Sequence, residues 1–206
     1  MDFYMKNKLA IALVCTLMTA CGGGGADSAS APAPTPATSA LAAYAGVWEA
    51  PCDGRERETA TISIDASGAL AISSKTEYFA LVGCTGPVLA TETLSANFTV
   101  IFTGSVDASV QLAQGAAPTP IKVDSVSTSV PSYSIQITGS GVVRSTLNGE
   151  AQWCIDFGGG SRTCVRDEGV QLAATARGGL YLKGNQLFTL ASSGSTFVVG
   201  EIYTKK

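Results

Sequence analysis

From Leu41 to Lys206, apolar and polar residues alternate with a period of two, and helical periodicity is nearly absent. In TATISI, Ala60, Ile62 and Ile64 alternate with Thr and Ser; in NFTVIFT, Phe98, Val100 and Phe102 share a face. In SYSIQIT, Tyr133, Ile135 and Ile137 do the same against Ser and Gln. Each pattern predicts a half-buried antiparallel strand, apolar side inward and polar side outward. Turn chemistry extends the reading to register. A three-residue loop Ala66-Ser67-Gly68 places Gly68 at a left-handed position and sets Ile64 opposite Leu70 and Ile62 opposite Ile72. In LYLKGNQLFTL, a Gly184-Asn185 turn pairs Leu182 with Leu187 and Tyr181 with Phe188. The expected fold is all-β, a single antiparallel β-barrel or sandwich of about eight to ten strands.

Four cysteines fall in this region: Cys52, Cys84, Cys154 and Cys164. In AQWCIDFGGGSRTCVRD, a Gly158-Gly159-Gly160 loop sets Cys154 opposite Cys164, Trp153 opposite Val165 and Asp156 opposite Arg162. One face then carries Trp153, Ile155, Phe157 and Val165, and the other carries Gln152, the two cysteines and the ion pair. Hydrophobic pattern and thiol positions agree on this register. It selects one of the three pairings that four cysteines allow, and Cys52 with Cys84 follows by elimination. Closing that longer loop stabilises by about 3–4 kcal/mol through chain entropy. Zinc and redox roles are disfavoured, because there is no C-x-x-C, the ligand spacing is wrong, and the chain has no histidine.

The first forty residues follow a different rule. Leu9–Met18 is an uncharged apolar run preceded by Lys6 and Lys8 and followed by the small residues Thr19 and Ala20. That order makes an export signal, and the run is shorter than the roughly 20 apolar residues needed to cross a bilayer. Leu17–Cys21, LMTAC, resembles the lipobox of Gram-negative bacterial lipoproteins, with Met18 standing where Leu is commonest. The resemblance implies cleavage between Ala20 and Cys21, a lipid on the Cys21 sulfur, and loss of Cys15 with the leader. Gly22 differs from the Asp that resembles an inner-membrane retention signal, which implies the outer membrane, on its periplasmic or surface face. Met5 begins a better-formed leader than Met1. Gly22–Ala40 holds four glycines and then almost only Ala, Ser, Thr and Pro, a tether with little apolar surface to bury. The expected organisation is a leader over 1–20, a lipidated Cys21 with its tether to 40, and a β domain over 41–206.

Charge and chemistry narrow the rest. Lys6, Lys8 and Asp2 leave with the leader, which takes the formal charge from −3 to −4. No basic cluster interrupts this mild acidity, so nucleic acid is not an expected partner. Without histidine there is no Ser-His or Cys-His nucleophile, and carboxylates are the remaining acid–base candidates. DGRERE, Asp53 to Glu58, is the densest charged patch and reads as a solvated loop, with a recognition loop as the sharper alternative. GSGVVR at Gly139 reads as a hairpin and not as a phosphate cradle. No catalytic residue, metal or cofactor is expected.

Gly46-Val47-Trp48 resembles the G-x-W that opens the first strand of lipocalin-type barrels, which implies that Trp48 plugs one barrel end or lines a ligand. The functional expectation is a non-enzymatic, envelope-anchored β domain for binding or envelope support. A small apolar ligand inside the barrel is one version. Docking onto an envelope protein, such as inhibition of a wall-degrading enzyme, is another, and a carboxylate-dependent hydrolase is the third. A hollow interior favours the ligand, a filled one with exposed apolar side chains favours the partner, and two converging carboxylates favour the hydrolase.

Overall fold

The computed structural model describes residues 39–113, 116–193 and 196–206. The leader, Cys21 and residues 22–38 of the tether lie outside them. The compact body begins at Ser39. After a 3-10 turn, Ala42–Tyr44, come β1 Gly46–Glu49, β2 Glu56–Ile64, β3 Leu70–Leu81, β4 Thr85–Leu94, β5 Phe98–Gln111, β6 Thr119–Val130 and β7 Tyr133–Thr138. Then follow β8 Val142–Leu147, β9 Glu150–Gly158, β10 Ser161–Arg166, β11 Val170–Gln171, β12 Ala174–Lys183, β13 Gln186–Ser193 and β14 Thr196–Lys205. The protein is all-β.

Eight strands close into a ring in the order β1-β2-β3-β5-β6-β12-β13-β14, shut by Leu70 of β3 opposite Val100 of β5. β5 continues past this closure and meets β14 in parallel, Phe197 opposite Val110. The five strands β5-β6-β12-β13-β14 therefore also close on themselves farther along. This double closure explains LYLKGNQLFTL, which is apolar on both faces of its strands. Leu180, Leu182 and Leu187 turn toward the eight-strand interior with Trp48, Leu70, Val100 and Tyr203. Tyr181, Phe188 and Leu190, on the opposite face, join Val110, Val123 and Phe197 in a second core. A strand covered on both sides has no position left for polar alternation.

The remaining strands extend the body. β4, β7 and β11 continue the large sheet beyond β3, and β8, β9 and β10 form a separate three-stranded sheet over it. Between these layers lies a third core of Tyr78, Ala90, Ile137 and Ile155, with Trp153, Phe157 and Val165 against it. Barrel and sandwich thus coexist, and the fourteen described strands exceed the eight to ten expected because these six lie outside the ring.

The expected registers are present. Ile64 faces Leu70 and Ile62 faces Ile72, while Gly68 has φ +84°. Leu182 faces Leu187 across Gly184-Asn185. GSGVVR is a correction. Gly139-Ser140-Gly141 is not a hairpin but a crossover that carries the chain from β7 in the large sheet to β8 in the small one. It passes directly over β4, where a Cβ on Gly139 would lie 2.2 Å from the Leu89 carbonyl oxygen. The glycines are there for close backbone approach, and the same residue types serve a tight turn equally well.

Candidate functional site

Trp48 comes first, since a barrel's interior is the obvious place for a ligand. It lies on β1 at 1% exposure, donates its indole N–H to the Tyr44 carbonyl at 2.8 Å, and has the Lys205 ammonium 5.1 Å from its ring centre. Leu41, from the segment before β1, packs into the same core with no exposure. The ring interior is therefore filled by side chains at this site, and Trp48 is a packing residue with its polar atom satisfied. A depression of about 320 Å³ at Gln111–Ala113, walled by Val198, Val199 and Ile202, opens outward and carries no charged group.

The cysteines form Cys52–Cys84 and Cys154–Cys164. Cys154 lies opposite Cys164, Trp153 opposite Val165 and Asp156 opposite Arg162, so the register argued from the Gly-rich loop holds. The ion pair spans 3.5 Å.

DGRERE is the second correction. It is not a solvated loop: Asp53–Glu56 is a tight turn with both backbone hydrogen bonds at 2.9 Å, and β2 starts at Glu56. The Arg55 guanidinium donates to the Ala80 carbonyl at 2.6 Å and stacks 4.6 Å over Phe157 of the small sheet. Arg57 stacks 5.4 Å over Phe79. The charges are spent on fastening this end of the molecule, where Cys52–Cys84 ties the turn to the β3–β4 connection. Gly83 N–H also donates to the Gly54 carbonyl at 2.7 Å.

That fastening holds apolar side chains in water. Leu81 is 57% exposed and Val82 67%, with Val88 also exposed beside them. A free chain would fold such residues inward; here the disulfide and the arginines fix a backbone that presents them. The other end of β3 is where Ser39 docks, its hydroxyl donating to the Gly68 carbonyl at 2.6 Å. Twelve strand residues separate the two, roughly 40 Å at 3.3 Å per residue. The tip and the entry of the N-terminal segment therefore sit at opposite ends of β3.

Of three inward carboxylates, Glu58 falls in the DGRERE patch, while Glu92 and Asp124 were not singled out by the sequence pattern. Tyr78 Oη donates to Glu92 Oε2 at 2.7 Å, Tyr44 Oη to Asp124 Oδ2 at 2.7 Å, and Tyr203 Oη to Glu58 Oε1 at 3.2 Å. Burial, then the neighbouring carboxylate, pushes each phenol well above its ordinary value of 10. A signal existed: Glu92, Asp124 and Glu58 each lie two residues from a buried apolar residue, Ala90, Val126 and Ala60, and so share its face. Each carboxylate accepts from a phenol on another strand or segment; Glu58 and Glu92 lie in one row on either side of Thr76 of β3, whereas Asp124 lies on β6. Among the described residues no group of three or more metal-ligating side chains gathers.

No family model matches the chain, and no match was found among the curated proteins or the solved structures.

Proposed function

We propose that this protein is an exported lipoprotein, anchored through Cys21, whose β domain docks a folded envelope protein by the disulfide-stapled tip at Leu81, Val82 and Val88. The observation that carries the reading is the filled interior beside exposed apolar residues on a braced turn. Packing around Trp48 speaks against the barrel-ligand version, and the engagement of each inward carboxylate by a tyrosine speaks against the hydrolase. Two disulfides support an oxidising compartment, in keeping with the proposed leader that ends at Ala20. Rigid apolar side chains dock at low entropic cost, because the staple has already ordered them. No catalysis is assigned.

The test uses the cell. A photo-crosslinking residue at Val82 in the anchored protein yields one discrete adduct with an envelope protein, and Leu81→Asp abolishes it without moving the unfolding midpoint. Absence of an adduct, or an adduct indifferent to Leu81→Asp, rejects the docking surface.

A further inference from the structure

The edge of β5 facing away from β6 meets two strands and is bare between them. Val100 pairs with Leu70 of β3 and Val110 with Phe197 of β14, and among the described residues no backbone group pairs with this edge over 101–109. The segment Ser39–Ala45, which reaches from Gly68 to Asp124, does not cover it. Its backbone bonds run within itself, Ala42 to Ser39, Tyr44 to Leu41 and Ala45 to Ala42. A register shift between Phe102 and Gly104 breaks the strand once, and from Gly104 to Val110 the pairing with β6 is regular. On this regular stretch the two faces differ. Val106 and Ala108 stand opposite Val123 and Ile121, on the side of the second core, and Val106 is 42% exposed. Ser105, Asp107 and Ser109 are exposed on the other side. The second core thus runs out at Val106, with unpaired backbone groups beside it.

We infer that residues 104–109 form a strand-addition site, which takes an extended segment of another protein as one more strand. A row of unpaired N–H and C=O groups specifies the backbone of its occupant, because another strand satisfies all of them together. The two faces specify its side chains. Those on the Val106 side are apolar and cover what remains open of the second core. Those on the Asp107 side are polar, with Lys or Arg favoured, since Asp107 has no ion pair among the described residues. The length is that of an ordinary strand, about five or six residues. The edge is also ordered in advance. Ser105 Oγ donates to Asp124 Oδ1 at 2.7 Å, and the Tyr44 phenol holds Oδ2 at 2.7 Å, so docking costs β5 little freedom. A second copy of this chain does not fit. β5 runs fourteen residues without a break, longer than the bare stretch, so a second β5 laid against it collides with Leu70 or Phe197. A short segment that leaves the sheet at both ends does fit. The tip at Leu81 offers side chains to a folded surface; this edge offers backbone to an extended one.

Hydrogen exchange on the full chain, alone and with the peptide acetyl-Thr-Val-Lys-Val-Thr-Val-amide, tests this. The peptide slows exchange at the amides of 104–109 that point to the open edge. Its fully N-methylated form keeps the side chains, lacks the donors and gives no protection. Val106→Lys, which sets a charge against the apolar face of the peptide, causes loss of the protection, and Leu81→Asp leaves it in place. No protection by the peptide, or equal protection by both forms, overturns the inference. Slow exchange at these amides without any peptide also overturns it. The chain itself then fills the edge, or a second copy does if the protection rises with protein concentration.

Discussion

At the residue scale, three phenol–carboxylate pairs and one glycine carry most of what is distinctive. Tyr78 is almost wholly buried and Glu92 beside it is 6% exposed, so Tyr78→Phe removes a hydrogen bond to a buried carboxylate. A cost of about 1.5–3 kcal/mol is expected in urea unfolding. The buried tyrosines also set the alkaline limb. Their folded values are raised, so their contribution is complete below pH 10 and declines as pH rises above it, when the unfolded chain ionises and the folded one resists. Urea midpoints should fall above pH 10, with a shallower fall in Tyr78→Phe. Gly139→Ala should cost about 3 kcal/mol or more, because a Cβ 2.2 Å from the Leu89 oxygen adds a clash to an unfavourable φ of +141°. Little of this is legible in the sequence. Glu92 is readable from its parity with Ala90, but its phenol lies fourteen residues away. Gly139 looks like turn glycine because turn and close approach demand the same missing Cβ.

At the element scale the sequence is far more informative. Hairpins encode their registers locally, through loop length, glycine placement and matched faces. For that reason the pairings of β2 with β3, β9 with β10 and β12 with β13 follow from short stretches of chain, and Cys154–Cys164 follows with them. What alternation does not encode is which sheet receives a strand. β7 and β8 look like hairpin partners, yet they belong to different layers. The charged start of β2 looks like a solvated loop because stacking on Phe157 and Phe79 joins residues distant in sequence. The two staples should differ. Cys52–Cys84 spans a sequence separation of 32 and Cys154–Cys164 one of 10. Replacing the first pair by serine should cost about 4 kcal/mol and the second about 3 kcal/mol from loop entropy, read as a shift in urea midpoint. Removing Cys52–Cys84 should also release the turn that presents Leu81, which crosslinking at Val82 would report as a lost adduct.

At the scale of the whole molecule, the β body is filled and doubly closed, with exposed apolar residues at the β3–β4 end, and the proposed lipid on Cys21 would anchor it. The proposed anchor at Cys21 predicts that Cys21→Ala moves the protein from the membrane pellet to the soluble envelope fraction with its unfolding midpoint unchanged. The most direct measurement is the mass of the protein extracted from membranes, with non-reducing peptide mapping. The account predicts that residues 1–20 are absent, acyl chains are attached at Cys21, and the peptides of Cys52 and Cys84, and of Cys154 and Cys164, are linked. An intact leader, an unmodified Cys21 and four alkylatable thiols in the body would contradict it.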